Sequence, residues 1–275
     1  MRRPFLDEPI TPLAAWSARL ALFAVAVAAL SVIIVRSGLL DIGPALATFG
    51  AALAFAAAAI LLALASFVAI WRNGSPGLGR ALGGLLLGAA LLAYPAYLAA
   101  RAIKLPEIND VTTDFSNPPH FDVLARLRPP GRVDYPPRYA ELQRKAYPDV
   151  VPLQVDMPVR QAYDQALKVV TKRKWLVVDA RTPSPTHRQG VIEAVARTTI
   201  MGFRDDVVVR VTPLSDGSRV DVRSASRYGL HDFGANARRV TALLADIDDA
   251  VSNAPDSSDE TPTPKAPPRR QPAKR

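Results

Sequence analysis

Between positions 219 and 239 the chain reads RVDVRSASRYGLHDFGANARR, a stretch holding five arginines, two aspartates and a histidine. Guanidinium groups are forked, permanently charged donors that match phosphate and carboxylate geometry. One chemistry on offer is therefore anion binding. Side chains alternate along a strand, so Val220, Val222, Ser224 and Ser226 point one way and Arg219, Asp221, Arg223, Ala225 and Arg227 the other. On the preceding strand Asp206, Val208 and Arg210 lie opposite the Val207–Val211 row. Joined through a turn at Asp216-Gly217, the two polar rows interleave as cross-strand Asp–Arg pairs. A solvated sheet face would look the same. The anion-site reading takes Asp206, Arg210, Asp221, Arg223, Ser226, Arg227, Asp232 and Asn236. In it Arg223 and Arg227 supply the forks, and the helix starting near Gly234–Asn236 supplies free N–H groups.

A second chemistry is acyl transfer by Ser226, His231 and Asp232 in an envelope hydrolase. Adjacent turn residues seldom aim at one another, and no G-x-S-x-G elbow is present. No catalytic residue is assigned. His120 and His187 stand alone, without metal-ligand spacing. The chain has no cysteine, which removes thiolate metal sites, cysteine nucleophiles and disulfides together. Neither a metal nor a cofactor is expected.

The elements that must position these residues follow from hydrophobic period. LQV (153–155) reads as a short strand, and Pro158 opens a helix whose Val159, Ala162, Tyr163, Ala166, Leu167 and Val170 share a face. WLVVDA (175–180), GVIEAVART (190–198), DDVVVRVTP (205–213) and SRVDVRSAS (218–226) read as strands. A last helix from about Phe233, capped by Asp232, carries Val240, Leu243, Leu244, Ile247 and Val251 as its stripe. The order over 152–252 is β-α-β-β-β-β-α. An antiparallel sheet with two helices on one face satisfies it, which places the domain in the α+β class.

The amino-terminal half differs. Segments 13–35, 45–71 and 81–100 are each apolar over the length a bilayer requires, with Arg19 near the start of the first able to snorkel. Together they make a membrane region over 13–103 with three transmembrane helices, preceded by residues 1–12. Arg2, Arg3, Arg19, Arg72 and Arg80 flank one side, against Arg36, Arg101 and Lys104 on the other. This balance predicts a multi-pass protein of a bacterial inner membrane, amino end in the cytoplasm and carboxyl-terminal domain periplasmic. No charged residue interrupts the second or third span, so an ion path is not expected. Gly84 and Gly88 form a GxxxG pair, serving either helix packing within the chain or an oligomer. Pro95 is expected to kink the third helix.

Residues 104–151 are Pro-rich but carry Phe115, Phe121, Tyr135, Tyr139 and Tyr147, and read as a connector lying along the domain. The tail 253–275 is Pro-rich, charged and without large apolar residues, and reads as disordered. The net charge is +9 and the pI about 10.1. That charge is spread over flanks, connector and tail with no aromatic stacking platform, so nucleic acid is rejected as a partner. Membrane lipids, an envelope anion or an envelope protein remain the expected partners.

The stretches INDVTTDFSNPPHF, MGFRDDVVVRV and GSRVDVRSASRYGLHDFGANARRV resemble, in that order, the family called domain of unknown function 1499, over about residues 105–252. The resemblance implies a bacterial or plastid protein whose domain follows membrane spans or a targeting segment. No activity is established for the family as a whole, so it implies a domain boundary and no mechanism. It also marks Asp205–Arg239 as the family's own signature. The function expected is binding or scaffolding in the cell envelope, with a hydrolase or a purely structural domain as the alternatives.

Overall fold

Apolar sequence without a core to enter forms long helices first. In the computed structural model of the chain, which describes residues 11–38, 42–128 and 132–254, three such helices open the molecule: α1 (Pro12–Ser37), α2 (Ile42–Asn73) and α3 (Leu78–Lys104). All three are long and apolar enough to cross a membrane. The expected amino-terminal segment 1–12 and the expected disordered tail fall almost wholly outside the described residues. Small side chains set the packing. Ala14, Ser17, Ala21, Ala24, Ala28, Ser31 and Val35 form a buried line along α1 at alternating spacings of three and four, the spacing of a left-handed helix seam. A Cβ added to Gly84 would lie 2.0 Å from the Ser17 hydroxyl, and one on Gly88 would lie 2.8 Å from Ile60. The GxxxG face is thus occupied by α1 and α2 of the same chain, where glycine permits backbone contact. The Ser17 hydroxyl donates to the Ala59 carbonyl at 2.8 Å. Helix α3 continues through Pro95 to Lys104.

The remainder is an antiparallel sheet with helices on one side. Its elements are β1 (Asp110–Thr112), α4 (Tyr139–Ala146), β2 (Leu153–Val155), α5 (Val159–Lys172), β3 (Leu176–Arg181), β4 (Gly190–Arg197), β5 (Arg204–Leu214), β6 (Gly217–Ser226) and α6 (Ala235–Ser252). The strand order is β1-β6-β5-β4-β3, and β2 also pairs with β6. β1 takes residues 223–225 of β6 and β2 takes residues 218–220, end to end along one edge. The turn between β5 and β6 is Ser215-Asp216, one residue earlier than the sequence suggests, because Leu214 pairs with Gly217. Gly217 has φ +127°, and a Cβ there would stand 2.2 Å from the Val155 carbonyl. Close approach of β2 therefore requires glycine at the start of β6.

The helix face holds the main core. Ile192, Ala194, Val207, Val209, Val211, Val220 and Val222 meet Tyr163, Ala166 and Val170 of α5 and Val240, Leu243 and Ile247 of α6. Residues after α3 are built into the same unit: Ile108, Val111, Tyr135, Tyr139 and Val150 enter this core. Strand β1 was not visible in the sequence reading. Three residues within a Pro-rich segment carry no period, and their partner lies more than a hundred residues away. Gln143 of α4 completes the free edge of β1: its amide nitrogen donates to the Thr112 carbonyl at 2.7 Å and its oxygen accepts the Thr112 N–H at 3.0 Å. A side-chain amide stands in for a further strand there and closes an edge that would otherwise pair with other chains.

Candidate functional site

The second sheet face is not solvated. Phe121 and Leu124 lie over Val191, Val195, Val208 and Ala225, so the segment after β1 covers the polar rows. Leu124–Leu127 forms a 3-10 turn. Its first N–H groups are taken by the Glu193 carboxylate, which accepts from Asp122 (2.8 Å), Val123 (3.2 Å) and Leu124 (2.8 Å). Glu193 is wholly buried. A charged group alternating onto an otherwise apolar strand is the one sequence signal that could have announced this cover.

Under it the predicted rows form matched ion pairs. Arg223 is wholly buried and meets Asp110 in a two-pronged pair at 3.0 and 2.7 Å, donating also to the carbonyls of Pro119 and Val133. Its guanidinium lies 4.8 Å from the Phe121 ring centre. Asp206 accepts from Arg227 at 2.7 and 2.9 Å and from Arg128 at 2.8 Å. Asp221 accepts from Arg210 and Arg219, and both arginines also reach Asp114. Burial pushes the Asp110 carboxyl above its ordinary value, with Arg223 opposing it. Burial likewise raises Asp232, against the N–H groups of Asn236 and Gly234.

On the helix face Asn236 is spent internally: its amide nitrogen donates to the Ser226 hydroxyl and the Asn109 carbonyl, and its oxygen accepts from Ser224. Asp232 accepts from Gly234 at 2.7 Å and Asn236 at 2.9 Å; α6 begins at Ala235 rather than near Phe233, with Gly234 rather than Asp232 in the N-cap position. The N–H groups proposed for an anion are thereby occupied. His231 turns away from Ser226. Its Nδ1 accepts from the Phe233 N–H and its Nε2 stands 3.3 Å from the Leu105 carbonyl. Ser226, His231 and Asp232 therefore do not converge. Of the eight residues of the anion-site reading, Asp206, Asp221, Arg223, Ser226, Asp232 and Asn236 are closed within the fold. Arg210 and Arg227 border open cavities.

Arg227 leads to a different site. At the end of the sheet nearest α1, a cavity of about 390 Å3 is lined by Leu127, Leu176, Val178 and Val195. Arg173, Lys174, Arg197, Arg204 and Arg227 stand around it. Successive strands end here, so the end of β4 (Arg197), the start of β5 (Arg204) and the residue after β6 (Arg227) each contribute one guanidinium. Arg173 is neutralised by Asp246 at 2.6 Å. Arg227 shares the single Asp206 carboxylate with Arg128. Lys174, Arg197 and Arg204 have no carboxylate partner among the described residues. The α5–β3 turn holds Lys174 at φ +57°, a left-handed conformation that costs a side-chain-bearing residue about 1 kcal/mol. Strain kept at a cavity wall is an observation that points toward function. The sequence reading missed this cluster, because its members come from four separate elements. Among the described residues no group of three metal-binding side chains occurs.

Helix α1 is tied to this end. Arg36 donates to the carbonyls of Thr199 (2.8 Å) and Ile200 (3.2 Å), and Arg197 donates to the Arg36 carbonyl. Fold and site together define a membrane-associated α+β domain whose basic end faces its helical anchor. The chain belongs to the family described as Protein of unknown function (DUF1499), matched over residues 110–247. No curated protein matches it.

Proposed function

We propose that this protein is a binding protein of the bacterial inner membrane, in which a three-helix anchor holds a periplasmic domain that captures an anionic ligand at the membrane surface. The observation that carries the reading is the cavity wall of Lys174, Arg197 and Arg204, which lacks carboxylate partners among the described residues. Guanidinium groups without a carboxylate partner around a partly apolar hollow recruit phosphate or carboxylate through charge-assisted, forked hydrogen bonds. The side of the membrane rests on the flanking charges, which favour a cytoplasmic amino end.

Titration of the full-length protein in detergent with inorganic phosphate and with pyrophosphate tests the capture. Saturable binding that Arg197→Gln and Arg204→Gln each weaken about tenfold is expected, the loss that follows from removing one charge-assisted contact. Equal binding by wild type and both variants would leave the domain a structural one. Reporter fusions after Lys104 and after Val251 test the side: activity only outside the cytoplasm is expected, and activity only inside would reverse the orientation.

A further inference from the structure

A second cavity, of about 600 Å3, adjoins the first and shares Arg204 with it. Its lower wall is Val35 at the end of α1 with Ile42 and Leu46 at the start of α2. Those positions lie on helices apolar and long enough to cross a membrane, at the end where the spans meet the domain. Its upper wall is Arg204 with Phe203 and Tyr228. Tyr228 is exposed, as suits an amphipathic ring at headgroup level. The hollow therefore runs from the apolar helix ends to Arg204, beyond which stand the cations of the first cavity.

A soluble anion would have no use for the apolar wall, and a plain acyl chain none for the arginines. From this junction we infer that the cleft seats an anionic phospholipid, its phosphate on Arg204 and its acyl chains along Val35, Ile42 and Leu46. The inference rests on the anion-binding reading of the neighbouring basic cavity and names its source as lipid. Arg36, pinned to the carbonyls of Thr199 and Ile200, holds the β4–β5 turn over α1 and so keeps Arg204 above the helix ends. A headgroup phosphate there accepts from Arg204, and Arg197 and Lys174 lie beyond it in the adjoining cavity, where a charged headgroup substituent would extend.

Native mass spectrometry of the full-length protein released from nanodiscs of equal phosphatidylglycerol and phosphatidylcholine tests this. Wild type is expected to retain phosphatidylglycerol over phosphatidylcholine, and Arg204→Gln to lower that preference about tenfold. Arg160→Gln, at an exposed arginine on α5 paired to Asp164, serves as the control and should leave retention unchanged. Folding is not at issue, since Arg204 is exposed; a melting temperature equal to wild type confirms it. Equal retention of both lipids, with inorganic phosphate still bound through Arg204, would overturn the lipid assignment and leave the anion pocket standing. Loss of both lipid preference and phosphate binding in the wild type would overturn both.

Discussion

Asp206 shows how the buried rows work as single side chains. One carboxylate with no exposure pairs with two arginines, Arg128 from the cover and Arg227 just after β6. Replacing it with Asn leaves two guanidinium groups facing each other away from water. Removing one partner of a buried pair costs about 3–5 kcal/mol, so Asp206→Asn should lower thermal stability in detergent by that order, measured by circular dichroism. Asp114 offers a gentler case with a pH signature. Burial pushes its carboxyl up, but the N–H groups of Asn117 and Ser116 and the charges of Arg219 and Arg210 outweigh that and hold it below its ordinary value of 3.8. A carboxyl depressed in the folded state contributes stability that is fully present above 3.8 and lost as pH falls through the folded value. Asp114→Asn keeps the oxygen that accepts from Ser116 and Asn117 and removes the charge. Its acid limb of melting temperature against pH should be shallower than that of wild type. Asp110 and Asp232 are raised instead, so they act with the opposite sign and are common to both proteins in that comparison.

Elements carry the next set of constraints. The 3-10 turn over the second face has no cap of its own; Glu193, from a strand on the other side of the interface, supplies it. Glu193→Ala should leave three N–H groups without their acceptor and raise hydrogen exchange at residues 122–124 by tenfold or more. Strands β4 (Gly190–Arg197) and β5 (Arg204–Leu214) should stay protected, since their ladders are untouched. In the membrane region the Gly84 contact leaves no room for a side chain. Gly84→Leu should destabilise the helical bundle by about 1–3 kcal/mol, the usual cost of overpacking, read as a lower melting temperature in detergent. Lys174 combines strain with position. Lys174→Gly should raise stability by about 1 kcal/mol by relieving the left-handed conformation, while weakening phosphate binding. A variant that gains stability and keeps its affinity would remove Lys174 from the site.

For the whole molecule, the decisive contact is between anchor and domain. Arg36 donates to two carbonyls of the β4–β5 turn and its own carbonyl accepts from Arg197, while α3 leads directly into β1. Two attachments fix the basic end toward the helical bundle, where one would leave a hinge. The chain lacks cysteine, so spin labels at engineered Ala99→Cys and Ser184→Cys report a single distance. Arg36→Ala should broaden that distance distribution, and an unchanged width would mean that α3 alone orients the domain.

The amino-acid sequence by itself determined the local and periodic features: three apolar helices, the β-α-β-β-β-β-α order, and the alternation that sends Val207, Val209 and Val211 one way and Asp206, Val208 and Arg210 the other. Each of these depends on spacing within one element, which a sequence displays directly. What faces each side was decided only by tertiary structure. The row Arg219–Arg227 reads identically whether water or Phe121 covers it, and the segment that covers it lies a hundred residues earlier. Strand β1, the Gln143 edge and the Glu193 cap share that long-range character. So does the basic cavity, since Lys174, Arg197, Arg204 and Arg227 share an end of the sheet only after four strands pair in register. Local pattern sets which elements form and which residues share a face. Where charges meet, and whether they meet each other or a ligand, depends on contacts between distant parts of the chain that no local period encodes.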